Sequence, residues 1–285
     1  MKLVTFQREL GEVSVGILKE NTIFDLAAHL GDTEKSMKSI LSEYVLERLA
    51  SINVDLLPSY PLDDVTLLPV IPDPGKILCI GINYATHVKE TGRDMPTYPM
   101  VFTRFADSQV GHLQPIVRPF ASHKLDFEGE LAIVIGKPAR HVKREEALKY
   151  VAGYACYNDG SVRDYQKHTI QFVPGKNFPK TGGFGPCLVT KDEIPDPQAL
   201  HLVTRLNGEV MQETDTSDMI FDVGALIEYC STFTELLPGD VIVSGTTGGV
   251  GAFREPPVWM KPGDVVEIEI SSIGILRNTI IDEEK

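Results

Sequence analysis

The sequence predicts an α+β protein rich in β-structure, and three observations lead to this class. Segments with the alternation and β-branched residues typical of strands recur after residue 75, often next to glycine. Apolar residues at helical spacing are rare by comparison. A cluster of five prolines between residues 58 and 74 separates these segments from a smaller unit at the start of the chain.

The first sixty residues predict a small α/β unit. Strand-type segments at Lys2–Phe6 and Val13–Leu18 precede helical spacing over Glu34–Leu49. Because proline interrupts both helices and central strands, the proline cluster that follows is interpreted as a connection. We therefore expect a small N-terminal domain with its linker at 1–70 and a second domain at 71–285.

The second domain is expected to consist mainly of strands, with its functional site at strand ends and in loops. Six segments have the pattern of strands: Lys76–Ile80, Phe127–Ile135, Leu202–Asn207, Asp240–Ser244, Val265–Ile270 and Gly274–Thr279. Three have the pattern of helices: Asn83–Glu90, Arg144–Tyr150 and a stretch within Asp222–Phe233.

Composition excludes several classes of function. The 285 residues include 27 Lys and Arg against 40 Asp and Glu, a formal net charge of −13. Such an acidic surface repels nucleic acids and anionic membranes, so neither is expected as a partner.

The four cysteines form no C-x-x-C motif and are interpreted as reduced, buried thiols. With no signal peptide and no apolar stretch of about 20 residues, a cytoplasmic location is expected.

Three acidic residues suggest a metal site. Glu128 and Glu130 project to the same side of a predicted strand, where like charges repel. They form either a solvated strand edge or a site for a hard divalent cation. Asp159 follows another predicted strand and offers a third oxygen ligand, although Asp-Gly-Ser is also typical of a turn. Three carboxylates without cysteine or clustered histidine favour magnesium, manganese or calcium over zinc.

Three further groups suggest chemistry. His87 and Glu90 share a face if their segment is helical, which suits a general base with an orienting carboxylate or a surface ion pair. Lys176 is either a contact for a substrate carboxylate or enolate oxygen, or an exposed loop lysine. The glycine-rich segment 245–251 is either a tight turn or a carboxylate cradle with Thr246 as hydroxyl donor.

Six motifs in order resemble the fumarylacetoacetate hydrolase family, and together they cover roughly residues 75–281. They are Gly-x-Asn-Tyr-x-x-His-x-x-Glu at 81–90, Phe-Glu-Gly-Glu-Leu at 127–131, Asn-Asp-x-Ser-x-Arg-Asp-x-Gln at 158–166, Gly-Lys-Asn-Phe at 175–178, Asn-Gly-Glu with a later Met-Ile-Phe at 207–221, and Leu-Pro-Gly-Asp-Val-Ile followed by Gly-Thr and Gly-Val-Gly at 237–251.

The resemblance implies the fold and the site. It implies that residues 71–285 form a catalytic domain, a mixed β-sandwich or rolled barrel, and that the protein is a homodimer. It also implies that Mg²⁺ or Mn²⁺ is ligated by Glu128, Glu130 and Asp159. His87 and Glu90 match the family's catalytic pair, and the positions that match substrate contacts are Lys176, Gln166, Thr246 and Arg104.

The resemblance implies that the protein is a catabolic hydrolase. It would cleave a C–C bond in a small 2,4-dioxo acid, such as an acylpyruvate or a fumarylacetoacetate-like compound. Water activated by His87 and Glu90 would attack, and a metal-stabilised enolate would leave. On the same site, an oxaloacetate-like 2-oxo acid decarboxylase and a 2-hydroxy-diene-dioate isomerase are alternatives. A non-catalytic binder of organic acids is a different class, disfavoured because a binder needs no base.

Overall fold

The computed structural model describes residues 1–9, 11–31, 33–86, 88 and 94–284. Its strands are β1 (Lys2–Gln7), β2 (Val13–Lys19), β3 (Thr22–Asp25), β4 (Ser59–Pro61), β5 (Thr66–Leu67), β6 (Ile77–Gly81), β7 (Met100–Arg104), β8 (Gln109–Val110), β9 (Ile116–Arg118), β10 (Leu125–Asp126), β11 (Gly129–Ile135), β12 (Val151–Asn158), β13 (Ser161–Val162), β14 (Gly182–Thr190), β15 (His201–Leu206), β16 (Glu209–Asp215), β17 (Val241–Val243), β18 (Val265–Ile270) and β19 (Gly274–Asp282). The α-helices are α1 (Met37–Ile40), α2 (Glu43–Ala50), α3 (Arg163–Gln166), α4 (Val173–Lys176) and α5 (Val223–Phe233).

One large mixed sheet forms the frame of the molecule. Its strands follow the order β4-β3-β2-β1-β14-β12-β11-β17-β6-β7, with β5 beside β1 and β8 beside β14. Most neighbours are antiparallel, whereas β17 runs parallel to β6 and β8 runs parallel to β14. The central strand β11 is buried along its whole length, because both faces of the sheet are covered.

The two faces of β11 contribute to different cores. Leu131 and Ile133 pack in a cluster that includes residues of a second, five-stranded sheet, ordered β16-β15-β18-β19-β9. Ala132 and Val134 point the other way, into a cluster that includes Met37 of α1 and other residues of the N-terminal unit. Alternation along the strand therefore separates a sheet-on-sheet layer from a sheet-on-helix layer.

The β-rich fold class predicted from the sequence is confirmed. The two packed sheets give the sandwich form, and in the described part of the chain neither sheet closes on itself as a barrel does. The N-terminal unit extends the main sheet, since Lys2 and Leu3 of β1 pair with Val189 and Leu188 of β14. The boundary at residue 70 stays a prediction.

The helix expected over Glu34–Leu49 is two helices, α1 and α2. Each begins at a serine whose hydroxyl accepts a backbone N–H of the first turn, Ser36 from Ser39 and Ser42 from Val45. Because an N-cap fixes a helix start, the second cap divides a continuous apolar pattern. The stretch Arg144–Tyr150 is a 3₁₀ helix, and the helix expected within Asp222–Phe233 is α5.

All four cysteines are free and buried, as expected. Over the described residues, the chain contains no helix with both the length and the apolar character needed to cross a bilayer.

We predict that His112 makes stability depend on pH. Its Nδ1 accepts the Arg277 backbone N–H at 3.0 Å, and burial together with the charge of Arg277 lowers the pKa of His112 to about 4. The unfolded chain binds this proton near pH 6.5, so stability falls as the pH drops from about 6.5 towards 4, by up to about 1.4 kcal/mol per pH unit. Urea unfolding across this range should show a shallower slope for His112→Gln; equal slopes in both proteins would contradict the prediction.

Candidate active site

The three predicted acidic residues meet where β11 begins and β12 ends. The two strands pair antiparallel, with Gly129 opposite Asn158. Beyond this pair, the Asp159 backbone N–H donates to the Glu128 carbonyl at 2.9 Å. Carboxylate oxygens of Glu128, Glu130 and Asp159 lie within 4.8 Å of one another, and all three side chains are buried. Strand pairing therefore builds the cluster that the sequence predicted.

Two basic side chains hold Asp159 from opposite sides. Lys176 Nζ lies 2.6 Å from Asp159 Oδ2 and 2.6 Å from Glu128 Oε2. Burial alone would lower the pKa of Lys176, but the charges of Asp159 and Glu128 outweigh it and raise the pKa. Arg104 Nη1 lies 2.5 Å from Asp159 Oδ1. Lys176 is thus a fixed positive charge among the carboxylates.

Arg104 lies behind Asp159. Its guanidinium is fully buried and donates to Asp159, the Gly160 carbonyl, Thr181 Oγ1, and the hydroxyl and carbonyl of Ser108. It is not among the described residues that line the cavity in front of the carboxylates. These contacts position Asp159, and the expected contact between Arg104 and substrate stays a prediction.

Glu130 is the least compensated carboxylate of the three. Its Oε2 accepts the Gly245 backbone N–H at 2.6 Å, and it forms no ion pair with any described residue. Burial, reinforced by the charges of Asp159 and Glu128, raises the pKa of Glu130 well above its usual value. An oxygen-only donor set with uncompensated negative charge suits a hard divalent cation, so these residues fit Mg²⁺ or Mn²⁺.

A small cavity of about 110 Å³ opens onto Glu128 and Glu130, whereas Asp159 is not among the described residues that line it. Its polar lining comprises Glu128, Glu130, Arg163, Gln166, Lys167, Lys176 and Thr246, and its apolar lining comprises Ile80, Ile82, Phe102, Phe172, Ala252 and Phe253, with Gly81. Phe102 and Phe172 pack edge to face, with ring centroids 5.6 Å apart. The size and lining suit a small anionic ligand with a short carbon chain.

Arg163 and Gln166 on α3 supply hydrogen-bond donors. Arg163 Nη1 lies 2.7 Å from Glu128 Oε1 and donates to Gln166 Oε1 at 3.0 Å. Because Gln166 Oε1 accepts this hydrogen bond, the amide nitrogen of Gln166 is the group that can donate to a ligand. Arg163 Nη2 is buried and has no hydrogen-bond partner among the described residues. The motif at 158–166 contains Arg163, but sequence reasoning assigned it no role.

Asp126, to which the sequence alone gave no role, connects two walls of the cavity through hydrogen bonds. Its Oδ2 accepts from Arg163 Nε at 2.8 Å and from the Ala252 N–H at 2.9 Å. Its Oδ1 accepts from the Gly251 N–H at 2.8 Å and from the Phe127 N–H at 2.9 Å. Its one signal in the sequence is its position between two large apolar residues, Leu125 and Phe127.

Thr246 is placed on the cavity wall, but its hydroxyl proton is committed. Thr246 Oγ1 donates to the Gly129 carbonyl at 3.0 Å and accepts from Gln212 Nε2 at 2.8 Å. A hydroxyl has one proton, so Thr246 could donate to a ligand only by breaking its hydrogen bond to the Gly129 carbonyl. Its role as a donor to substrate stays a prediction.

The catalytic pair implied by the resemblance, His87 and Glu90, lies outside the described residues. The start of their motif is described, and Asn83 anchors it. Asn83 Nδ2 donates to the Ser244 and Phe221 carbonyls, and Asn83 Oδ1 accepts the Phe221 N–H. The motif therefore starts beside the strand end that carries Gly245.

Comparison with known proteins identifies the family. The profile described as "Fumarylacetoacetate (FAA) hydrolase C-terminal" matches residues 76–281. The chain belongs to the fumarylacetoacetate hydrolase family. The family recognised from the motifs is thus confirmed, and the protein is an enzyme of this family.

Three relatives illustrate its range. "Oxaloacetate tautomerase FAHD2A, mitochondrial" of Bos taurus is 38% identical over 288 residues, 99% of this chain and 92% of the relative. A fumarylacetoacetate hydrolase structure from Exiguobacterium antarcticum matches with a TM-score of 0.86 and 34% identity over 99% of this chain and 100% of that one. The maleylpyruvate hydrolase of Sphingobium sp. SYK-6, solved with manganese(II) and pyruvate, matches with a TM-score of 0.83 and 28% identity over 100% of both chains.

Two of these relatives bear on what the sequence led us to expect about the metal and the cellular location. The manganese of the maleylpyruvate hydrolase structure is consistent with the acidic triad found here. The bovine relative is named as mitochondrial, and the cytoplasmic location expected for this chain stays a prediction.

We predict that Gly245 is required for both its backbone angle and its lack of a side chain. Its φ is +99°, and a Cβ there would lie 2.8 Å from Asn83 Cβ and 3.0 Å from the Ile80 carbonyl oxygen. Gly245→Ala should lower the free energy of unfolding by roughly 2–4 kcal/mol, as expected for left-handed backbone plus overpacking.

Gly208 provides the matched control, because its φ is +82° and a Cβ there meets nothing within 4 Å. Gly208→Ala should cost only about 1 kcal/mol, the backbone contribution alone. Urea unfolding of both variants measures the difference, and equal losses would contradict the steric argument.

Proposed function

We propose that the protein catalyses divalent-metal-dependent interconversion of the enol and keto forms of a small 2-oxo acid, with oxaloacetate as the first candidate substrate. The observation that carries the proposal is the buried triad Glu128, Glu130 and Asp159. Glu128 and Glu130 of this triad line a small cavity together with Arg163 and Lys176. The match of 99% of the chain to a relative named oxaloacetate tautomerase supports the choice of reaction.

Glu128, Glu130 and Asp159 would hold Mg²⁺ or Mn²⁺. When bound, such an ion supplies Lewis-acid stabilisation of the negative charge that develops on a 2-oxo oxygen. The donor set supports this assignment, as does manganese(II) in the structure of the related maleylpyruvate hydrolase.

The side chains around the triad bind and orient the substrate. Arg163 and Gln166 both line the cavity and carry hydrogen-bond donors, and we assign to them the C1 carboxylate of an oxo acid. Lys176 adds a fixed positive charge near the oxygen that carries the enol. Arg104 acts through Asp159, whose carboxylate it orients.

Proton transfer is assigned to His87, with Glu90 as its orienting partner, on the resemblance of their motif to the family's catalytic pair. In the forward direction a proton leaves the enol hydroxyl and a proton is added at C3. Phe102 and Phe172 form part of the apolar wall of the cavity and pack edge to face.

Hydrolysis of a 2,4-dioxo acid, expected from the sequence, is the second candidate. It is favoured by the similarity to maleylpyruvate hydrolase and fumarylacetoacetate hydrolase structures. It would use the same metal ligands, with His87 activating water for attack on the distal carbonyl. Products separate the candidates: a carboxylic acid plus pyruvate indicates hydrolysis, CO₂ from oxaloacetate indicates decarboxylation, and loss of enol absorbance without either indicates tautomerisation.

We predict that the reaction requires a divalent metal. Treatment with EDTA followed by its removal should lower the rate of enol loss in an oxaloacetate assay to the rate without enzyme, and Mg²⁺ or Mn²⁺ should restore catalysis, because the ion held by the three carboxylates supplies the Lewis acid. The same assay with an acylpyruvate tests hydrolysis. Full activity of metal-free protein on either substrate would refute the proposed metal role.

We predict that His87→Asn lowers kcat by roughly 10²–10⁴, the usual contribution of a general base, while Mn²⁺ and pyruvate still bind. Calorimetric titration with Mn²⁺ and pyruvate confirms that the site remains intact. An unchanged kcat in this variant would remove His87 from the mechanism.

A further inference from the structure

We infer that Lys167 binds a second, distal carboxylate at the mouth of the cavity and so makes the enzyme selective for oxo diacids over oxo monoacids. The inference rests on the proposed function, because it assigns the outer end of the same substrate site. Neither the sequence motifs nor the comparisons assign a role to this residue.

Lys167 follows α3 directly, and its backbone N–H donates to the Asp164 carbonyl at 3.1 Å. The neighbouring Gln166 and Lys167 both line the cavity. One short helix thus places a proposed donor for the inner carboxylate and a basic residue side by side.

The charged residues of the described cavity wall differ sharply in exposure. Glu128 and Arg163 are each 6% exposed, and Glu130 and Lys176 are each 1% exposed. Lys167 is exposed and is the remaining charged residue of that wall. We therefore assign its ammonium group to the mouth of the cavity, whereas the other four charged side chains are buried.

Each of the inner basic groups contacts two carboxylates of the protein, which offset part of its charge. Arg163 contacts Asp126 and Glu128, and Lys176 contacts Glu128 and Asp159. Lys167, in contrast, forms no ion pair with any residue that the structure describes. It is the group on this wall whose full charge is available to a ligand.

The surroundings make this charge decisive for a dianion. The chain carries a formal net charge of −13, so a substrate with two carboxylates is repelled overall. Near the mouth, Phe172 and Phe253 offer apolar surface that cannot compensate a distal carboxylate. Lys167 supplies the missing positive charge, while an uncharged tail needs no such partner.

A substrate pair isolates this interaction. Oxaloacetate and its 4-methyl ester share the 2-oxo acid end and differ in the distal charge. With Mn²⁺ present, Lys167→Met should lower kcat/KM for oxaloacetate about fivefold, the upper range for one exposed ion pair, and leave the ester nearly unchanged. Lys167→Glu should lower it about 25-fold, because reversal removes an attraction and adds a similar repulsion.

Two variants serve as controls. Lys167→Arg keeps the charge and should retain the preference for oxaloacetate. Lys261→Met removes one positive charge at an exposed site that does not line the cavity, and it should leave the ratio of the two substrates at the wild-type value. Raising KCl from about 0.02 to 0.5 M should shrink the difference between wild type and Lys167→Met, because salt screens exposed charges.

The outcomes separate the two proposals. Selective loss of oxaloacetate turnover in Lys167→Met supports the inference. Equal effects of this variant on both substrates, or no effect on either, overturn the inference and leave the proposed function standing. Folded wild-type protein that turns over neither substrate with Mg²⁺ or Mn²⁺ overturns the proposed function, and the inference with it.

Discussion

Burial of negative charge at the junction of β11 and β12 is the constraint on which the rest of the site depends. Three carboxylates whose oxygens lie within 4.8 Å would repel strongly inside a protein. Arg104, Lys176 and Arg163 offset part of this repulsion. Glu130 is the carboxylate of the three that forms no ion pair with any described residue, and we propose that a divalent cation is its partner.

The fold makes this arrangement rigid before any ligand binds. The central sheet fixes Glu130 within a fully buried strand. Contacts distant in sequence then fasten the loops around it: Asn83 joins residues 221 and 244, and Asp126 joins α3 to residues 251 and 252. Groups held in this way need little reorganisation when charge develops on a substrate.

The sequence predicted the parts of the site that depend on local geometry. Alternation along a strand places Glu128 and Glu130 on one side, and the motif order identified the family. The roles of Asp126 and Arg163 were out of reach, since they arise from partners that only tertiary pairing brings close, such as Asp126 and Gly251, 125 residues apart. Tertiary contacts also decide that the Thr246 hydroxyl donates to the Gly129 carbonyl. They likewise decide that the N-terminal unit joins the main sheet, through the pairing of β1 with β14.

We propose that Glu128, Glu130 and Asp159 bind one divalent ion in common. Anomalous diffraction at the manganese edge from crystals soaked in Mn²⁺ tests it most directly. We expect one strong peak within roughly 2.0–2.4 Å of an oxygen from each of the three carboxylates. A peak elsewhere, or none between these side chains while Lys176 still bridges Glu128 and Asp159, would contradict it.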